Sequence, residues 1–128
     1  NKIINSLKND SRWNNQFQFV EIPKNIDPSF MGLPILLNQK MNKEIKMKLL
    51  FFLESKGIET RPILTGNFLN QPSIKLFGLN EERLKFKGAQ SIEDLGFLIG
   101  LHTKRIQKKH LELIKDSFFY INTLVKNF

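Results

Sequence analysis

Ile45, Leu49, Phe52 and Leu53 stand at i, i+4, i+7 and i+8 between Asn42 and Gly57. That spacing lays one apolar stripe along a helix, and the stripe must be buried against something. Asn42 suits the N-cap, Glu44 complements the positive end of the first turn, and Gly57 suits a left-handed stop after Lys56. Apolar segments of a different period flank this helix. Phe17–Ile22 alternates apolar and polar residues, with Val20 breaking the pattern, and predicts a strand ending at Pro23. Ile58–Leu64 predicts another directly after the helix. A capped amphipathic helix between strands points to one α+β domain, in which a small, mostly antiparallel sheet carries flanking helices.

The remaining pattern fits this class. Ile3, Ile4 and Leu7 predict a helix over 1–10 that lacks a preceding cap, as the tail of a longer helix would. Asn9-Asp10-Ser11 stops it. After a turn at 25–28, Phe30–Leu37 is a strand interrupted by Gly32 and Pro34, which suggests an edge or a bulge. Residues 65–90 read as irregular. Ser91 and Asp94 have the spacing of a capping box and predict a short helix starting there. Gly96–Gly100 predicts a short buried strand. A last helix is expected from Thr103 or Lys104 to near Lys126, with its stripe at Leu111, Ile114, Phe118, Ile121 and Val125.

Composition narrows the chemistry. The chain has 128 residues, no Cys and two His, which excludes a disulfide scaffold, a Cys-ligated metal and a thiol nucleophile and makes a structural metal improbable. No apolar run approaches the roughly 18 residues of a membrane span, and the N-terminal residues lack the apolar centre of a signal peptide, so a cytoplasmic location is expected and no membrane partner. Lys+Arg 20 against Asp+Glu 12 gives a net charge of +8. Such a charge suits a polyanion or a phosphorylated substrate, and equally a lysine-rich solubilising surface. The aromatic residues fit core stripes better than a nucleic-acid strip, so no nucleic acid is expected.

The common catalytic motifs are absent: there is no GxGxxG, GxxxxGK[ST], HExxH or GxSxG. Two segments hold polar groups near strand ends. In Gly57–Pro72, Arg61 lies in a predicted strand and faces either solvent or an anion. Asn67, Asn70 and Gln71 follow just beyond it. They supply donors and acceptors for a sugar or phosphate, or else ordinary turn chemistry. His102 stands between the Gly96–Gly100 strand and the last helix, as a phosphate contact, a proton carrier or a surface cap. His110 falls within that helix and reads as packing or surface. Arg83, Lys85 and Lys87, then Lys104, Arg105, Lys108 and Lys109, form two basic groups. The second is at the start of the last helix, the less favourable end for cations, and this points to a nearby anion or to a solvated face.

The run Gly57-Ile58-Glu59-Thr60-Arg61-Pro62-Ile63, continuing through Gly66-Asn67-Phe68 and Gln71-Pro72, resembles a signature of the DegT/DnrJ/EryC/StrS family of pyridoxal-phosphate-dependent sugar aminotransferases. Within that family the pattern G-I-E-T-R-P-I-x-x-G-N-F-x-x-Q-P is most similar to the branch of nucleotide-sugar 3-dehydratases. A second block, Ala89 followed by Gly96, Phe97, Ile99, Gly100 and His102, resembles the family's G-F-[FLM]-I-G-x-H. Leu101 departs from it, since relatives often carry Asn there. Phe30 through Pro34 is similar to the family's strand before the helix. The resemblance spans roughly residues 17–125.

It implies the small C-terminal domain of a fold-type-I enzyme, with residues 1–12 the end of the interdomain helix and 13–128 the domain itself. The large domain would hold pyridoxal or pyridoxamine 5'-phosphate, with a Lys for transamination or a His for 3-dehydration. Neither that residue nor a bound cofactor is expected in this chain. The implied substrate is a nucleotide-linked 4-keto-6-deoxy sugar for lipopolysaccharide or other surface-glycan synthesis, and the implied assembly of the full-length enzyme is a homodimer. By motif position Arg61, Asn67, Phe68 and His102 are the implied substrate-binding residues, Arg61 and Asn67 facing the cleft and His102 lining the same cleft or capping the last helix, and the fragment alone is expected to be inactive. The alternative is a stand-alone basic α+β module that binds RNA or an acidic partner.

Overall fold

The computed structural model describes residues 2–79 and 85–126. Helix α1 (Lys2–Lys8) leads to strand β1 (Phe17–Phe19) and strand β2 (Gly32–Leu37). Helix α2 (Lys43–Ser55), the two-residue strand β3 (Thr60–Arg61) and two 3-10 turns at Phe68–Asn70 and Pro72–Phe77 follow. Helix α3 (Lys87–Leu95) runs straight into strand β4 (Gly96–Gly100), and helices α4 (Lys108–Phe119) and α5 (Ile121–Lys126) close the described chain. The four strands lie in the order β1-β2-β4-β3, and every pair is antiparallel. The expected α+β class is thus the observed one.

The core forms where the periods predict it, except that Val125, expected on the last stripe, is exposed and Leu124 is buried in its place. Leu33, Ile35 and Leu37 alternate inward along β2, and Phe97 and Ile99 join them from β4. Ile45, Leu49 and Leu53 of α2 pack with them, together with Phe118, Ile121 and Leu124 from the C-terminal helices and Ile4 and Leu7 from α1. The Asn42 side chain accepts the Ile45 N–H at 2.9 Å, as an N-cap should. Gly57 adopts φ +77 after α2.

Several boundaries differ from expectation. The β3 pairing stops at Arg61, because Pro62 has no N–H to give and Leu64 turns to a positive φ of 46. The β1 ladder covers Phe17–Phe19 only, and β2 begins at Gly32 and lies inside the sheet between β1 and β4 where an edge or a bulge was expected; Pro34 is accommodated because the β1 ladder ends at Ile35. Helix α3 begins at Lys87, so Ser91 is in its interior and caps nothing, and Asp94 instead accepts from the Gln90 side chain at 3.1 Å. The last helix begins at Lys108, after a stretch in which Leu101 still pairs with Met31. It breaks at Tyr120, whose N–H bonds back three residues to Ser117 and whose ring stacks on Phe52 at 3.8 Å. The expectation that aromatics fill the core fails for Phe51, Phe68, Phe77 and Phe86, which are exposed. Arg83 lies outside the described residues.

Candidate functional site

The segment after α2 forms a loop clamped to α3. Asn67 is 1% exposed, and its main-chain N–H donates to Glu93 Oε2 at 2.8 Å. Its side-chain Nδ2 donates to Gln90 Oε1 at 3.1 Å, while its Oδ1 accepts the Leu69 N–H at 3.2 Å and caps the first 3-10 turn. Asn70 Nδ2 reaches the same two acceptors, Gln90 Oε1 and Glu93 Oε2, at 2.9 Å each. Gly66 crosses over the Glu93 side chain with φ +64, so near that a Cβ would stand 2.8 Å from Glu93 Cβ and Cγ. Lys46 of α2 holds the other side of α3 by donating from Nζ to the Glu93 carbonyl. Burial pushes the Lys46 ammonium below the ordinary lysine value.

This clamp fixes where the implied substrate residues stand. Arg61 is on the edge strand β3, opposite Leu98, with its guanidinium exposed and paired to Glu59 through Nε at 2.9 Å. Phe68 projects from the first 3-10 turn and is 59% exposed. Asn67 lies beneath it with its side chain bonded within the fold. Arg61 and Phe68 are thus exposed on one stretch of chain, and the buried Asn67 holds its backbone. Gln90, Glu93 and Lys46 escaped the sequence reading. The signal for Gln90 and Glu93 was their i, i+3 spacing, which a helix start placed at Ser91 concealed.

His102 is not brought to the same place. It follows β4 at its C-terminal end, whereas the Ile63–Asn67 loop meets the other end, where the Ile63 side chain lies against Gly96. His102 lines a separate cleft of about 1070 Å³, between residues 22–33 and the loop 100–107 that enters α4. Lys104, Arg105 and His110 line it as well, with Asp27, Phe30, Met31 and Ile106 on other parts of its wall. His102 Nδ1 accepts the Lys104 N–H at 2.9 Å, so in the neutral imidazole the proton resides on Nε2, a free donor type for an anion. An apolar wall with convergent cations suits a ligand with a phosphate or carboxylate and a less polar body.

No described residues group as metal ligands, and no helix among them is long and apolar enough to cross a membrane. The buried lysine, Lys46, has its ammonium engaged by the Glu93 carbonyl between two helices.

No protein-family model matches the chain, and no curated protein matches it. Among solved structures, the chain is similar in fold to E. coli GDP-4-keto-6-deoxy-D-mannose 3-dehydratase with bound hydrated pyridoxal phosphate. The TM-score is 0.64 at 19% sequence identity, over 91% of this chain. The chain spans 28% of the length of that structure. The likeness is one of fold: the α+β arrangement seen here is also part of a pyridoxal-phosphate enzyme.

Proposed function

We propose that the chain is the small C-terminal domain of a pyridoxal- or pyridoxamine-phosphate-dependent enzyme acting on a nucleotide-linked 4-keto-6-deoxy sugar, by 3-dehydration or transamination. The observation that carries this reading is the coincidence of two independent signals. The fold aligns over 91% of the chain with part of a sugar 3-dehydratase, and the Gly57–Pro72 signature forms a loop clamped against α3. In this reading Arg61 makes a charge-assisted contact with an anionic group of substrate, and Phe68 packs against it. Asn67 acts through the loop it holds. His102 serves the second cleft. The cofactor belongs to a large domain of the parent, which supplies the electron sink and the Lys or His that moves the proton. The parent works as a soluble homodimer in the cytoplasm, in surface-polysaccharide or lipopolysaccharide synthesis.

Two measurements test this. The isolated chain, incubated with pyridoxamine phosphate and GDP-4-keto-6-deoxymannose, is expected to consume no substrate, and turnover would overturn the domain assignment. The longer polypeptide carrying this domain is expected to have His or Lys at its cofactor-linking position, and any other residue there would overturn the enzyme.

A further inference from the structure

We propose that two copies of this chain associate symmetrically through the loop face formed by residues 62–79. The argument starts from a break in the charge pattern. Charged residues make up 25% of the chain, yet residues 62–74 contain none and 62–79 contain only Lys75. The comparable uncharged runs 28–39 and 95–103 hold β2 and β4, whose Leu33, Ile35, Leu37, Phe97 and Ile99 are core residues. Residues 62–79 lack that explanation. Ile74 is buried, but Leu64 and Leu76 are each 87% exposed, Phe77 is 71% exposed, and Phe68 and Leu79 stand about half in water. Exposed apolar side chains scattered singly are ordinary, whereas this set stands on one short loop.

The loop holds these side chains in place. Its two 3-10 turns, Phe68–Asn70 and Pro72–Phe77, meet at Gln71, whose side chain donates to the Thr65 carbonyl at 3.4 Å and closes the stretch on itself. Asn67 and Asn70 bond it to Gln90 and Glu93 of α3. A loop fixed in this way loses little freedom on docking. Side chains of this size and exposure leave roughly 600 Å² of apolar surface in water, the upper end of the largest patch on a typical monomer. With the polar residues between them, the face approaches the roughly 800 Å² per partner of a standard interface. A second copy fits it for a reason of charge. A symmetric contact sets one patch against the same patch of the partner, so a charged patch repels itself. Two molecules of net charge +8 meet at least electrostatic cost where neither presents charge. Lys75 is exposed, and its long stem carries the ammonium to solvent at the margin. The inference goes beyond the proposed enzyme and does not depend on it.

The test is sedimentation velocity of the chain between about 1 and about 200 μM, where monomer is expected to pass to dimer with a Kd on the order of 10 μM. Raising salt from about 0.05 to about 0.5 M is expected to leave the dimer unchanged or to tighten it, because screening relieves repulsion between the copies. The double variant Leu76→Lys/Phe77→Lys puts like charges on both sides of the contact and is expected to weaken the dimer about tenfold or more. Met47→Lys/Phe51→Lys adds the same charge at exposed apolar positions of α2 and is expected to weaken it less than about threefold. A monomer at the highest concentration, growth into larger species, disruption by salt, or equal weakening by the two double variants would overturn the proposal. A face reserved for another domain of a longer polypeptide gives the first of these results. Turnover tests of the enzyme reading use a different readout, so either assignment can fail while the other stands.

Discussion

Glu93 Oε2 accepts the main-chain N–H of Asn67 at 2.8 Å, across 26 residues of sequence. The same oxygen takes the Asn70 side chain, so one carboxylate holds two points of the loop that presents Phe68. The buried Asn67 amide group is bonded at both its oxygen and its nitrogen. A satisfied polar cluster of this kind specifies a single loop conformation, and removing one member leaves the others desolvated.

Replacing Glu93 by Leu is therefore expected to destabilise the chain by about 1–3 kcal/mol. Amide exchange should rise locally at Asn67 and Leu69, with β4 amides little changed. Glu93→Gln keeps an acceptor and should recover part of the protection. Exchange rising equally in β4 would show a general loss of stability and no specific clamp.

The two glycines bounding this region should respond differently. Gly57→Ala meets no atom within 4 Å and bears only its φ of +77, at about 1 kcal/mol. Gly66→Ala combines a φ of +64 with a collision at 2.8 Å on the Glu93 side chain. It is expected to cost more, about 2–3 kcal/mol. Urea unfolding midpoints of the two variants check the order.

Acid stability should depend on Asp10. Arg12 donates to both of its carboxylate oxygens, at 2.8 and 3.0 Å, and holds the carboxyl well below its ordinary value of 3.8. A lowered carboxyl pKa contributes stability that is complete above the unfolded value and disappears as pH falls toward the folded one. Wild type is expected to lose stability below about pH 4 more steeply than Asp10→Asn, followed by urea midpoints at successive pH values.

Lys46 should give stability a slope of the same sign, in a window at high pH. Its folded pKa lies below the ordinary lysine value of 10.5 because of burial, so between the two values the unfolded chain binds the extra proton. Stability is then expected to rise as pH climbs toward 10.5. The rise should be smaller in Lys46→Met, and identical slopes for the two proteins would contradict it.

Much of this was legible along the chain. Asn42, Glu44, the α2 stripe and Gly57 act within a few residues of one another, so local spacing marks the helix and its ends. The inward set Leu33, Ile35 and Leu37 follows from the period of a strand alone. The capping box at Ser91 misled because Ser and Asp at that spacing also occur inside a helix. Only the helical residues Lys87–Gln90 show that the helix had already begun before Ser91. Tyr120 gave no local sign of a break, since the break accompanies its stacking on Phe52 of α2.

The sequence by itself determined the α+β class, the order of elements, the core stripes and the Gly57–Pro72 signature. These depend on periodicity, caps and residue type, which act over short range. Tertiary structure decided that His102 lines a cleft to which Arg61, Asn67 and Phe68 do not contribute. It also decided that Gln90 and Glu93 clamp the loop, and that residues 22–33 meet the basic loop 100–107. These relations join side chains far apart in sequence. They exist because the antiparallel pairing of β2 with β4, and the packing of α3 on α2, bring their backbones together.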